Sequence, residues 1–386
     1  MLEWKLIRLG DICKTNENSY YPKDNWKFVN YLDTGSLTEN KITELQYINT
    51  KTDKMPSRAR RKVIKNSILY STVRPNQLHY GIIKEPVDNL LVSTGFTVID
   101  VDTNKTIPEF IYYLLIQNNT TEQLQAIAEQ SVSTYPSIKP SDIENLEFKL
   151  PNLIIQSKIV SILDTIDSKI CQNEKINNNL EQQAQAIFKS WFIDFEPFSN
   201  RKPSDWSVST LGNVSIMGAG GDKPQNVSPR KTDLYEYPIY SNGLSNEGLY
   251  GFTDNPKVSE ESVTVSARGT IGFVCLRHIP YVPIVRLVTL IPKTEIISAK
   301  YLYLWLKQLH IIGTGTTQQQ LTVPDFQKTE ILVPSKEIVT LFTATVEPIF
   351  EKIWANQNEN EKLSSLRDTL LPKLMSGELD VSDIEL

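Results

Sequence analysis

Across residues 157–192 the apolar positions Ile159, Leu163, Ile166, Ile170, Leu180, Ala184, Ile187 and Trp191 recur at alternating spacings of four and three, with Asn173 and Asn177 in the two central places. That alternation is a coiled-coil stripe rather than the broader apolar face of an ordinary surface helix. At ~1.5 Å per residue the predicted helix carries a seam roughly 48 Å long. A plainer reading, one long helix buried in a single core, is opposed by a second occurrence of the stripe. Phe342, Val346, Ile349, Ile353, Asn356, Asn360, Leu363, Arg367, Leu370 and Leu374 each stand 183 residues after a first-stripe position. Both asparagines recur, as does the proline ahead of each helix (Pro151, Pro334), and Arg367 in place of Ala184 is the one clear departure.

The repetition extends upstream. Trp4, Leu9, Gly10 and Asp11 match Trp206, Leu211, Gly212 and Asn213; 67–71 (SILYS) matches 262–266 (SVTVS), each soon followed by an arginine, Arg74 or Arg268. Residues 108–115 match 298–305 as an amphipathic helix, and 138–150 match 321–333. The chain therefore reads as two copies of one plan: 1–150 globular, 151–196 helix, 197–333 globular, 334–386 helix and C-terminal tail. Strands are expected within 63–70, 91–98, 262–276 and 285–291, and helices over 107–118 and 298–309. Residues 195–205, with Pro197 and Pro203, mark the boundary between copies, and 217–222 a glycine-rich loop. Pro348 should kink the second helix; Gly377 should end it, leaving 378–386 frayed.

Asparagines buried at matching seam positions fix register at a cost in stability, because a slipped partner strands the amide. The central positions meet in a parallel or an antiparallel pair alike, so they leave direction open. Two similar globes on paired helices suit a device that grips two sites on one elongated partner, as dimeric DNA-binding proteins grip half-sites ~34–36 Å apart.

Composition narrows the class. The chain has 386 residues, net charge −5 and 40% hydrophobic residues, with a mean hydropathy of −0.27 and pI near 5.5. No apolar run approaches the ~20 residues that span a bilayer, and the N-terminus shows no secretory pattern. Cys13, Cys171 and Cys275 are isolated, which fits a reducing cytoplasm. An acidic balance disfavours a protein that simply coats nucleic acid, so local patches must carry such a role. The densest is 51–65 (KTDKMPSRARRKVIK), with seven basic residues, in which Arg58, Arg60, Arg61 and Lys62 suit phosphate or guanine contact. In the second copy the nearest candidates are Arg230 and Lys231. Arg74 and Arg268 follow matching strands, the latter with Thr270 in a glycine-flanked turn. Ser133, Thr134 and Tyr135, and Thr316, Thr317, Gln318 and Gln319, lie in hydroxyl- and amide-rich loops at equivalent places, with groups that bond phosphates and base edges. No nucleotide-binding glycine motif, metal-ligand spacing or catalytic triad is legible, so no catalytic residue and no metal site is expected.

Taken in duplicate, the Trp-x4-Leu-Gly entry, Ser266-Ala-Arg-Gly-Thr-Ile-Gly272, the prolines leading into each helix and Leu374-Met-Ser-Gly-Glu-Leu379 resemble the specificity (S) subunit of type I restriction–modification systems. The resemblance implies an α+β fold: two pseudo-symmetric mixed α/β target-recognition domains joined by two long helices in an antiparallel coiled coil. It implies that each domain reads one half of a split target in double-stranded DNA while the helices set the spacer. The partners implied are two methyltransferase subunits and restriction (translocase) subunits, in a bacterial or archaeal cytoplasm and without a membrane. It implies no cofactor in this chain, S-adenosylmethionine, ATP and Mg belonging to the partners. The alternative from another class is a coiled-coil scaffold whose globes bind proteins.

Overall fold

A computed structural model describes residues 4–131, 135–313 and 320–384. The chain divides into two units, one formed by Met1–Gln172 with Glu359–Leu386 and the other by Asn173–Asn358. Each long helix therefore contributes one half to each unit.

In the first unit the strands are β1 (Lys5–Arg8), β2 (Cys13–Thr15), β3 (Phe28–Leu32), β4 (Leu37–Thr38), β5 (Lys41–Ile42), β6 (Gln46–Asn49), β7 (Ala59–Lys62), β8 (Ser67–Ser71), β9 (Tyr80–Ile83), β10 (Leu90–Ser93) and β11 (Phe96–Val101). Helices α1 (Pro108–Leu115), α2 (Asn118–Glu129) and α3 (Pro140–Glu144), strand β12 (Glu147–Leu150) and the long α4 (Leu153–Phe192) follow. The second unit continues with β13 (Ser207–Thr210), α5 (Leu211–Val214), β14 (Ser215–Ala219), β15 (Tyr237–Tyr240), β16 (Leu249–Thr253), β17 (Ser262–Val265), β18 (Val274–Arg277), β19 (Val282–Pro283) and β20 (Val288–Pro292). It closes with α6 (Ala299–Gln308), α7 (Val323–Phe326), β21 (Glu330–Val333) and α8 (Lys336–Ser376).

The duplication predicted from the sequence is visible in the sheets. A four-stranded sheet β2-β11-β8-β9 in the first unit has the counterpart β14-β20-β17-β18 in the second. The ribbon β1-β12 matches β13-β21, and the parallel pair β3-β10 matches β15-β19. Among the described residues α2 and the hairpin β4-β5 occur in the first unit alone, and the strand β7 is reduced in the second to the antiparallel bridge of Val258 with Tyr281. Where one strand was expected over 91–98 there are two, because Thr94 and Gly95 turn the chain between them; the expected strand over 285–291 begins at Val288.

Each unit has its own apolar core. In the first, Ile155, Ile159 and Leu163 of α4 join Leu371, Leu374 and Met375 of α8 beneath α1. In the second, Ala184, Phe188 and Phe192 join Phe342, Val346 and Phe350 beneath α6. N-terminal α4 thus meets C-terminal α8 in one unit and the reverse holds in the other, so the helices run antiparallel, which settles the direction the asparagines left open. None of the twenty stripe residues, Leu180, Ile187, Ile349, Leu363 and Leu370 included, is exposed. Within the second unit Asn356 Nδ2 donates to Asn177 Oδ1 at 2.8 Å and Asn177 Nδ2 to the Ile353 carbonyl at 3.2 Å. In the first unit Asn360 Nδ2 donates to the Ile170 carbonyl at 3.5 Å. Asn360 and Asn177, like Ile353 and Ile170, differ by 183, so the two amides make the same bond in each copy.

Arg367 reaches Asp167 of α4 at 3.1 Å. The residues 183 away from this pair are Ala184 and Phe350, both buried in the second core. A charged pair in one unit is thus replaced by a small and a large apolar residue in the other. α8 runs through the exposed Pro348 without interruption. The tail corrects an expectation: instead of fraying, Val381 is buried in the first core and Lys158 Nζ holds the Ser382 carbonyl at 2.6 Å. Gly377 takes the left-handed φ of 77°, and a side chain there would meet the Trp4 indole at 2.9 Å.

Candidate nucleic-acid interface

Strand β7 carries the heart of the basic run. It pairs antiparallel with β10, and its other edge is covered by 18–20, through Tyr20 N–H to the Arg60 carbonyl and Lys62 N–H to the Asn18 carbonyl. Arg58 and Arg60 are exposed, whereas Arg61 and Lys62 are half-buried. Lys62 Nζ lies 3.0 Å from Asp24 and 5.2 Å from the centre of the Trp26 ring, so it is already engaged. Arg61 Nε is enclosed with no hydrogen-bond partner, and burial lowers its pKa. Arg58 and Arg60 are the pair placed to meet an anionic partner.

The two arginine turns are built alike. In the first unit the chain leaves β8 with Arg74 in the left-handed region (φ 48°), makes one turn over Pro75–Gln77, and exits through Leu78, also left-handed. Left-handed backbone is uncommon outside glycine and persists where the surroundings enforce it, often at functional sites. Here Ile138 N–H bonds the Thr72 carbonyl and Arg74 N–H the Pro136 carbonyl, while the Arg74 guanidinium stands 5.1 Å over the exposed Tyr135 ring. In the second unit Leu321 N–H bonds the Ala267 carbonyl at 3.0 Å. Arg268 then sends Nε and Nη2 to Gln320 Oε1 at 3.2 and 3.1 Å. Gly269 and Gly272 supply the positive φ the turn needs, and Thr270 Oγ1 bonds the Asn242 carbonyl at 3.4 Å.

In both units, therefore, an exposed arginine touches the residue closing the polar loop. Ser133, Thr134, Thr316, Thr317, Gln318 and Gln319 lie outside the described residues. Arg230 and Lys231 are exposed in the 220–236 connection, away from regular structure. Two partners escaped sequence reasoning. Gln320 belongs to the polar loop singled out, but its bond to Arg268 has no signature in the sequence. Asn242 bonds Ala267 N–H at 2.7 Å and the Val285 carbonyl at 2.6 Å, and its sequence neighbourhood carries no signal of that role.

A second set of polar contacts attaches each globe to its helices. Tyr113 of α1 donates to Asp164 and Asp167 at 3.0 and 2.8 Å; Tyr303 of α6 donates to Glu181 at 2.5 Å. Burial, then the adjoining carboxylates, push both hydroxyls up, which keeps them protonated donors. Burial pushes Glu181 up, but Tyr303 and Lys307 outweigh it and hold the carboxyl below its ordinary value. Lys84 reaches Asp164 at 2.6 Å and buried Lys300 reaches Glu347 at 3.1 Å. Asp164 and Glu347 again differ by 183. The matched helices flagged these tyrosines, but not what they hold.

Among the described residues no group of three or more His, Cys, Asp or Glu is placed to hold a metal. The buried Cys13 and Cys275 thiols are pushed up to about 12, chiefly by burial, and so stay protonated and weakly nucleophilic. Among the described residues no helix is long and apolar enough to cross a membrane.

A family model described as the type I restriction modification DNA specificity domain matches residues 1–182 and 203–364, one match per copy. The specificity subunit of the type I restriction enzyme HindI of Haemophilus influenzae is 30% identical, the match covering 98% of this chain and 100% of that one. The specificity subunit of the type I restriction enzyme MjaIX of Methanocaldococcus jannaschii is 25% identical over 98% of this chain and 94% of its own. The crystal structure of the type I restriction-modification S subunit from M. genitalium shares the fold, with a TM-score of 0.56 at 17% identity, covering 99% of this chain and 97% of that one.

Proposed function

The chain belongs to the type I restriction modification DNA specificity family, and on that premise we propose that it reads a bipartite DNA target, one half-site per unit. It is a specificity subunit: it recognises DNA and leaves catalysis to partner subunits. The observation that carries the half-site assignment is the repeated turn, which sets exposed Arg74 against Tyr135 in one unit and exposed Arg268 against Gln320 in the other. The charged strand β7 and the residue before it add Arg60 and Arg58 to the first unit only, so the two half-sites differ in sequence. The antiparallel helices set the spacer between half-sites and offer docking surfaces to two methyltransferase subunits, with restriction subunits joining the complex. Those partners bring S-adenosylmethionine, ATP and Mg, and the complex works in the cytoplasm of its cell. In this reading the target-recognition domains span 1–150 and 197–333, and the spacer helices span 151–196 and 334–386 with the C-terminal tail.

Methylome sequencing of cells expressing this chain with its methyltransferase tests the reading. A split, adenine-methylated motif that vanishes without this chain is the expected result. Deleting one heptad from both helices should change the spacer and leave the half-sites intact. No chain-dependent motif would sink the recognition reading; an unchanged spacer would sink the ruler.

A further inference from the structure

In the second unit the place of β7 is held by a single antiparallel bridge, Val258 with Tyr281, which carries no arginine, yet an arginine is brought to the same corner by another route. Ile68 pairs with Ile99 in the first unit and Val263 with Leu290 in the second. With 67–71 matched to 262–266, this register places the turn of Thr94 and Gly95 opposite that of Val285 and Arg286. In the first unit Thr94 N–H bonds the carbonyl of Arg58 at 2.9 Å, so Arg58 stands beside the turn. In the second unit the turn itself carries the arginine.

That turn is strained and held. Val285 and Arg286 have φ of 53° and 60°, and a β-branched valine there is a clear outlier. Val285 N–H bonds the Gly221 carbonyl at 2.9 Å, and Arg286 N–H the Gly220 carbonyl at 2.8 Å. A side chain at Gly220 would stand 2.7 Å from the Ile284 backbone, so only glycine allows the approach. Asn242 then links the turn to the Arg268 turn, accepting from Ala267 N–H and donating to the Val285 carbonyl. One amide thus couples the backbones that carry Arg268 and Arg286. Arg286 is exposed and its side chain has no ion-pair or hydrogen-bond partner among the described residues. Strain enforced by surrounding contacts is often retained at functional sites, and an unpaired arginine on a backbone tied to that of a second exposed arginine suits an anionic, acceptor-rich ligand.

We propose that Arg286 is a DNA-contacting residue of the second unit, acting beside Arg268 and occupying the corner that Arg58 serves in the first. This rests on the reading that each unit engages one half-site. The test uses the chain assembled with its methyltransferase subunits, and duplexes carrying the methylated motif intact or with either half-site scrambled. Arg286→Ala should weaken binding to the intact duplex about tenfold or more with the thermal midpoint unchanged. Uniform weakening across duplexes, a salt slope reduced by about one and recovery in Arg286→Lys identify a phosphate contact. Relaxed choice at one base pair, without recovery in Arg286→Lys, identifies a base contact. Arg286→Gln, which keeps the stem, serves if the alanine variant does not fold. Unchanged affinity and salt slope, while the unsubstituted complex still prefers the intact duplex, overturn the proposal; if that complex shows no preference, the half-site reading itself has failed.

Discussion

The two units repeat the sheet, ribbon and helix that share a core with the long helices, and differ in the elements added around that frame. The four-stranded sheet, the short ribbon and the helix α1 or α6 recur with the same order. Among the described residues β7 as a full strand, the β4-β5 hairpin and α2 occur once. Parts that must fit a repeated helix pair are constrained by packing, whereas the parts carrying Arg58 and Arg60 are free to be rebuilt. The same division holds at single residues. The asparagine-to-carbonyl bond recurs at an offset of 183, while Arg367 with Asp167 is exchanged for Ala184 with Phe350. A seam tolerates different chemistry at one level, provided both partners change together.

The sharpest way to break this comparison is to change one partner. Ala184→Arg puts an unpaired charge into the second core and should cost about 3–5 kcal/mol, seen as loss of the second unit's thermal transition; a small shift would show that the core relaxes around it. Next in size, alanine at Arg58, Arg60 and Arg61 together should weaken binding about a hundredfold at moderate salt and flatten its salt dependence by about two. The double alanine variant at Arg230 and Lys231 should do less, and equal effects would remove the asymmetry claimed for β7. Tyr113→Phe should then destabilise by about 1–3 kcal/mol and Tyr303→Phe by less, because the first hydroxyl serves two carboxylates and the second serves one. Equal losses in urea melts would contradict that ranking. Because Glu181 is held below the ordinary value of 4.5, its contribution is present above that pH and is lost as pH falls through the lower folded value. Glu181→Gln should therefore blunt acid sensitivity in this range. Smallest of all, Arg367→Ala should cost about 1 kcal/mol, since its pair with Asp167 is partly solvated. A larger cost in the same melts would mean that the pair anchors the seam.

Much of this was legible because a heptad stripe and its copy depend only on spacing. The arginine turns were legible because the strands preceding them repeat. What escaped depends on residues far apart in sequence. Arg61 and Lys62 look alike in the basic run, and only Asp24 and Trp26 decide that Lys62 is occupied. α2 (NNTTEQLQAIAE) was unforeseen because its apolar positions are few, although 122–129 is rich in good helix formers; Leu124 and Ala128 bury it against the first core. The docked tail hangs on one apolar residue, Val381. At Val285 local propensity points away from the left-handed backbone that Gly220, Gly221 and Asn242 impose.

The division of the chain also bears on the order in which its units are completed during synthesis. The second unit is one contiguous stretch, Asn173–Asn358, while the first needs Glu359–Leu386 to be complete. Leu371, Leu374, Met375 and Val381 fill a core whose other walls were translated more than two hundred residues earlier. Domains ordinarily fold from the N-terminus as they emerge from the ribosome. Here the half made first must wait, and the half made second closes before it.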